Sequence, residues 1–238
     1  MNIQNRKDYA LGLQRGMPIA IGYLPVSFTF GLTAVSGGLP VWLAVVISLT
    51  NLTSAGQFAG TNLIIAGKGY LEITLVTFVI NIRYMLMSLS LSQKIKSKTT
   101  LLQRLLFAFG ITDETFSVAS MEEGKLSDRY MFGLITGPII GWTLGTTLGA
   151  MICSSLPENL SKAMGIALYG MFIAIIIPPA RKSKKVVAVI GISIAITCIL
   201  RYTPGLSEIS AGFRIILATI IAAGISAFIF PVEEGGAK

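Results

Sequence analysis

Arg83 stands near the middle of an apolar stretch, residues 71–92, between Asn81 and the run Tyr84-Met85-Leu86-Met87. A guanidinium at the centre of a membrane helix costs about 2.5–3.5 kcal/mol on insertion scales, so it needs a partner or an aqueous cavity. Three readings fit: a cation that meets a substrate carboxylate, a structural ion pair with Asp113 or Glu114, or a snorkelling side chain if the helix is shifted. Asp113 and Glu114 are adjacent in a second apolar segment, 101–120. On a helix they point about 100° apart, so the two are not expected to hold one ligand equally. Thr112 or Asp113 can cap a helix that begins there, with carboxylates favoured at its positive end. The competing reading makes one carboxylate the acceptor of a substrate ammonium or of a coupling proton. The sequence contains no histidine, which removes His-based metal sites, nucleophile pairs and proton relays, so an intramembrane proton must ride on a carboxylate.

The rest of the chain explains why these charges stand out. Its 238 residues are 53% hydrophobic and 13% charged, with a mean hydropathy of +0.74. A soluble domain carries about 25% charged residues, so the polar coat is too thin for a water-soluble particle. At about 20 residues per crossing, this length allows about eight or nine crossings and no large soluble domain. One transmembrane domain over 1–238 is the expected organisation. Apolar segments fall at about 17–35, 39–66, 71–92, 101–120, 130–153, 160–178, 185–200 and 212–231, joined by short loops. The runs are continuous and lack period-2 alternation, which points to helices and not to a barrel. The segment after Arg15 has no small-residue cleavage pattern and reads as an uncleaved first membrane segment.

Basic residues cluster in the N-terminal tail, in Lys94-Lys96-Lys98-Arg104 and in Arg181-Lys182-Lys184-Lys185. The positive-inside rule puts all three clusters in the cytoplasm, which also accounts for the net charge of +8 without nucleic acid as a partner. Eight simple spans would place the Lys94 loop on the wrong side. The predicted fold class is therefore an all-α, polytopic transmembrane helical bundle of about six full spans plus two re-entrant or broken segments. Both termini are expected in the cytoplasm, and eight spans is the alternative. Segment 39–66 looks broken at Thr50-Asn51-Leu52-Thr53-Ser54, and 101–120 at Phe109-Gly110 before Thr112-Asp113. Discontinuous helices near the midplane are a common way to build a transporter substrate site; a polar packing seam is the alternative for the first.

Gly133, Gly137, Gly141, Gly145 and Gly149 recur every fourth residue and line one helix face, where a neighbouring backbone can approach closely. Gly56 and Gly60 repeat the spacing once, and Pro138 stands inside the same helix as the ridge. Pro178-Pro179 is expected to end its helix ahead of the third basic cluster. Cys153 and Cys198 stand far apart in apolar runs and read as small buried hydrophobes, not as a disulfide. Glu72 lies near a helix end, and Glu122, Glu123 and Asp128 read as loop charges. Gly60 to Gly67-Lys68 has the wrong spacing for a phosphate loop, and no Ser or Thr follows the lysine. No catalytic residue, metal or cofactor is expected, and the chain is not read as an enzyme.

Several blocks resemble the AzlC family, the large subunits of bacterial branched-chain amino acid exporters. They are Gly22-Tyr23-Leu24-Pro25-Val26-Ser27-Phe28-Thr29-Phe30-Gly31, Ser54-Ala55-Gly56-Gln57-Phe58-Ala59, Asn81 to Leu91, and Thr112-Asp113-Glu114. Length and segment layout are similar along almost the whole chain. Members of the family with His after the arginine differ from this chain, which has Tyr84, so no histidine-linked coupling carries over. The resemblance implies export of branched-chain or related apolar amino acids, together with a small AzlD-like membrane subunit in the lipid bilayer. An amino acid zwitterion needs a cation and an acceptor. Arg83 with Asp113 or Glu114 offers that pair, and Asn51, Gln57 and Asn81 offer neutral hydrogen-bonding groups. A proton-coupled secondary exporter working by alternating access is the reading this favours. A passive channel for small polar solutes and a non-transporting assembly subunit are the alternatives.

Overall fold

The computed structural model describes residues 3–153 and 183–230, together with 173, 176, 177, 180 and 181. Nine α-helices follow one another among them: α1 (Ile3–Ser36), α2 (Val41–Thr50), α3 (Ala55–Ile65), α4 (Tyr70–Ser92), α5 (Leu101–Ala108), α6 (Asp113–Met121), α7 (Asp128–Ile152), α8 (Lys184–Tyr202) and α9 (Ala211–Ile229). Five of them, α1, α4, α7, α8 and α9, are long and apolar enough to cross a membrane. The protein is an all-α membrane helical bundle. Most of the expected span at 160–178, and the Pro178-Pro179 stop, lie outside the described residues.

Helices α1 and α7 form the centre of the bundle and run parallel. Gly133 of α7 faces the Tyr9 carbonyl, Gly141 faces that of Ala20, and Gly149 faces that of Phe28. Gly12, Gly16 and Gly31 of α1 lie in turn against the carbonyls of Tyr130, Leu134 and Thr146. A methyl group at these positions would collide with the opposing backbone, so glycine on both helices is what lets the two axes close on each other. The α7 ridge was legible in its four-residue period. The α1 half was not, because Gly12, Gly16 and Gly31 keep no common period.

One end of the bundle gathers the N-terminus of α1, the C-terminus of α4 and both ends of the α5–α6 segment. Ser127 donates to Asp8 at 2.6 Å, and Arg15 pairs with Glu122 at 3.5 Å. Lys94 Nζ donates to the carbonyls of Ser120, at 2.7 Å, and Glu122. The backbone of Leu126 is bonded to that of Lys94 and Lys96. Asp128, expected in a loop, is the first residue of α7, where a carboxylate suits the positive helix end.

The opposite end gathers the C-termini of α1 and α3, where Gly37 lies against Ile65. The starts of α4 and α9 are also there, with Glu72 accepting from Ser210 Oγ at 2.5 Å and from the Gly212 amide at 3.1 Å. Helix α8 ends beside α9 at this level, so its start at Lys184-Lys185 lies at the first end. The described residues of all three basic clusters therefore share one end.

This arrangement makes α2–α3 and α5–α6 re-entrant hairpins that enter from opposite ends. Helices of 10, 11, 8 and 9 residues rise about 12–17 Å, which is half of a hydrocarbon core about 30 Å thick. Their tips, residues 51–54 and 109–112, thus meet at mid-depth. The first tip turns at Ser54, whose φ of 47° is the one left-handed value at a non-glycine among the described residues. The second is closed by Thr112, which caps α6 reciprocally with Thr115. Thr112→Ala should cost about 1 kcal/mol, read as a fall in Tm of about 2–4 °C in detergent. Both cysteines are free; Cys198 is exposed on α8 and Cys153 is half-buried. The expectation that they are buried fails for Cys198, because the apolar run that contains it has a protein-facing side and an outward side.

Candidate functional site

The hairpin tips and the middle of α4 bring the charges of the membrane interior together. Arg83 NH1 lies 2.8 Å from Asp113 Oδ2. The neighbouring Glu114 points elsewhere, as adjacent helix positions require, and its Oε2 lies 2.5 Å from the Tyr23 hydroxyl of α1. Tyr23 also hydrogen-bonds Thr112 Oγ1 at 2.7 Å, so α1 is tied directly to the cap of α6. On the far side of Arg83, its NH2 donates to the Tyr84 hydroxyl at 3.1 Å, and Tyr84 donates to the Thr53 carbonyl at 3.2 Å. Thr53 Oγ1 then donates to Asn51 Oδ1 at 2.6 Å. One polar chain thus runs from the second hairpin tip through α4 to the first.

A second buried chain supports the first hairpin from α7. Trp142 Nε1 donates to Gln57 Oε1 at 2.9 Å, and Gln57 Nε2 donates to Ser48 Oγ at 2.7 Å. Ser48 is hydrogen-bonded to Thr146 at 2.6 Å. Gln57 is 1% exposed; with amide oxygen and nitrogen both engaged, it holds α2, α3 and α7 in register. Trp142 packs edge-on against Tyr23 with ring centroids 5.1 Å apart, which joins this chain to the Glu114 side of the cluster.

Two cavities approach the cluster from opposite ends. One, of about 570 Å³, extends along α2, α3 and α4 and holds Asn51, Gln57, Thr61 and Asn81. The other, of about 850 Å³, lies between α1 and α6 beside Arg15, Pro18, Val118 and Glu122. Pro18 and Val118 precede Tyr23 and follow Glu114 by about one helical turn. The ion pair, Glu114 and the two tyrosines line neither cavity; they form a polar septum at mid-depth, one step beyond the lining of each.

The six residues singled out as ligand groups therefore fall into two sets. Arg83, Asp113 and Glu114 share the septum, whereas Asn51, Gln57 and Asn81 share the α2–α3–α4 cavity. Asn81 and Arg83 are two residues apart, so they leave α4 about 200° apart. Tyr23, Thr53 and Thr61 were not singled out individually in the sequence. A tyrosine hydroxyl in the middle of a span needs a polar partner, and that demand is the signal that marks Tyr23. Among the described residues, no three His, Cys, Asp or Glu side chains gather where a metal ion could be held.

The family described as AzlC protein matches residues 18–156, which contain both hairpins and every residue of the septum. The inner membrane protein YgaZ of Escherichia coli (strain K12) is 28% identical over 181 residues, covering 73% of this chain and 74% of the relative. A membrane protein of Archaeoglobus fulgidus is 29% identical over 78% of this chain and 82% of its own length. A membrane protein of Helicobacter pylori (strain 26695) is 26% identical over 76% and 80%. No solved structure matches the chain.

Proposed function

We propose that this chain, which belongs to the AzlC family, is the large membrane subunit of a secondary exporter of branched-chain or related apolar amino acids. It works with a small AzlD-like membrane subunit in the bacterial inner membrane. The observation that carries this reading is the Arg83–Asp113 pair, set at mid-depth between two re-entrant tips. The side chains of the pair keep 40% and 36% of their exposure. In a membrane interior, that exposure suits an aqueous route better than lipid contact.

In this mechanism the substrate carboxylate displaces Asp113 from Arg83, and the freed Asp113 receives the substrate ammonium. Glu114 is held by the Tyr23 hydroxyl and not by Arg83, so it ties α1 to α6 while the ion pair opens and closes. Breaking the septum on one side while it holds on the other exposes the substrate to one cavity at a time, which is alternating access. Helix ends and unwound backbone at two tips supply the polar surroundings that such a site needs. The end carrying the three basic clusters faces the cytoplasm by the positive-inside rule, and the termini lie on that side.

The test is leucine efflux from cells loaded with a leucine-containing dipeptide, with and without this chain and its small partner. Expression of both should increase the initial efflux rate about tenfold over cells without the pair, on the order of the factor that one decade of rate represents. A proton uncoupler should remove net export against a gradient. Downhill flux that ignores the uncoupler would favour a channel, and unchanged efflux would leave an assembly subunit.

A further inference from the structure

We propose that α1–α3 and α4–α6 are inverted copies of one unit, a long span followed by a re-entrant hairpin. On this reading the two cavities are a single vestibule presented at opposite ends of the molecule. Helix α2 ends at Thr50 and α5 at Ala108, while α3 starts at Ala55 and α6 at Asp113. Both steps are 58 residues, so the two tips have the same length and fall at the same place in their units. Few identities survive at this offset, Phe58 and Phe116 among them. The repeat is therefore visible in register and not in letters.

The contacts repeat at the same offset, and each span clasps the hairpin of the other unit. Tyr23 of α1 bonds Thr112 and Glu114 at the start of α6. Its counterpart 58 residues on, Asn81 of α4, lies against Gly56 of α3, the counterpart of Glu114. One turn further out, Thr77 lies against Gly60, and their counterparts Ile19 and Val118 both line the α1–α6 cavity. Beyond these, Ile64 and Ile73 line the α2–α3–α4 cavity, and their counterparts Glu122 and Arg15 form the ion pair at the basic end. Gly60, Ile64, Ile73 and Thr77 of one cavity thus recur in the other as Val118, Glu122, Arg15 and Ile19. A pseudo-two-fold axis in the membrane plane produces this reciprocity; two unrelated helix breaks would not.

The two copies are held in different forms. Gly56 and Gly60 bring α3 directly against α4, and the cavity there measures about 570 Å³. Between α1 and α6 it measures about 850 Å³, so the molecule is wider toward the basic clusters. In carriers built from inverted repeats, rocking of one repeat against the other opens the two ends in turn. The exchanged form brings Ile19 onto Val118, as Thr77 lies on Gly60 here, while α3 parts from α4. This exchange rests on the carrier reading above but not on the identity of the substrate.

The experiment uses the full chain with its small partner in proteoliposomes, with the free Cys153 and Cys198 replaced by serine. Ile19→Cys with Val118→Cys sets a thiol on each side of the α1–α6 cavity, and oxidation with copper phenanthroline should join them. Thr61→Cys is the reporter: Thr61 of α3 is 2% exposed, so a maleimide reaches that thiol only when α3 parts from α4. The exchanged form is a minor state of about 10% or less, so locking it should speed labelling at Thr61→Cys about tenfold or more. Leucine counterflow should stop in the cross-linked protein and return on reduction. A pair that does not cross-link, or labelling that is unchanged or slower after cross-linking, would overturn the proposal. So would counterflow that persists across the cross-link. Labelling that responds as expected in a protein that moves no leucine would uphold the repeat and sink the amino acid reading.

Discussion

Arg83→Gln should abolish leucine export while leaving the protein in the membrane. Glutamine keeps some hydrogen-bonding capacity but is shorter, and it loses the charge that attracts a carboxylate and the fork that holds it. The expected fall in transport is about 100-fold, or about 2.7 kcal/mol at 1.36 kcal/mol per tenfold. The cost in stability should be small by comparison, because a pair with both partners more than a third exposed contributes little as a structural bond. Asp113→Asn should lower transport less, since Arg83 remains to meet the carboxylate. The double exchange Arg83→Asp with Asp113→Arg separates the two readings of the pair. A purely structural bond would survive the exchange and transport would return with it. A substrate site would not, because the cation would now stand on the α6 cap and the anion on α4. The measurement is efflux normalised to the amount of each variant in the membrane.

Gly149→Leu should produce the other large effect, in this case on folding. A Cβ at this position would meet the carbonyl, carbon and Cα of Phe28. These are backbone atoms of a helix packed along its whole length, so no side chain can turn aside to make room. Overpacking of a core costs about 1–3 kcal/mol even where side chains can move, so a cost at or above the upper figure is expected here. About 3 kcal/mol is a factor of about 100 in the folded fraction. Monodisperse protein recovered in mild detergent should fall to a small fraction of the wild-type yield. Gly22→Ala and Gly224→Ala are the controls. Both glycines lie in helices with nothing within 4 Å of an added Cβ, and alanine is the better helix former by up to about 1 kcal/mol.

These two positions illustrate how much the sequence disclosed. Gly149 was legible because its role follows from a local period, and five glycines at intervals of four on one helix announce a close neighbour. The identity of that neighbour was not, because α1 meets α7 across about a hundred residues of chain and answers with glycines at irregular spacing. The two helix breaks were legible for a related reason: Thr50 to Ser54 and Gly110 to Thr112 place polar groups where unwinding frees backbone groups that need them. The basic clusters at Lys94 and Arg181 then demanded that two segments turn back. Arg83 and Asp113 stood out as charges within apolar runs, and their ion pair was one of three arrangements open at that stage. Division of the six ligand residues between a septum and a cavity was not legible. It depends on the 200° that separates Asn81 from Arg83 and on which hairpin lies against each face of α4. Tyr84 was visible as a departure from the family, but its bridge from Arg83 to the Thr53 carbonyl requires the first tip to reach α4 at mid-depth, a contact no local pattern encodes.

Leucine counterflow in proteoliposomes tests the central claim most directly. Vesicles containing this chain and its small partner are loaded with unlabelled leucine, and uptake of labelled leucine is followed for the wild type and for Arg83→Gln. The expected result is a transient, saturable overshoot with the wild type and none with the variant at equal protein density. An overshoot of equal size in both would contradict a transport site at Arg83. Linear, unsaturable uptake in both would contradict a carrier altogether.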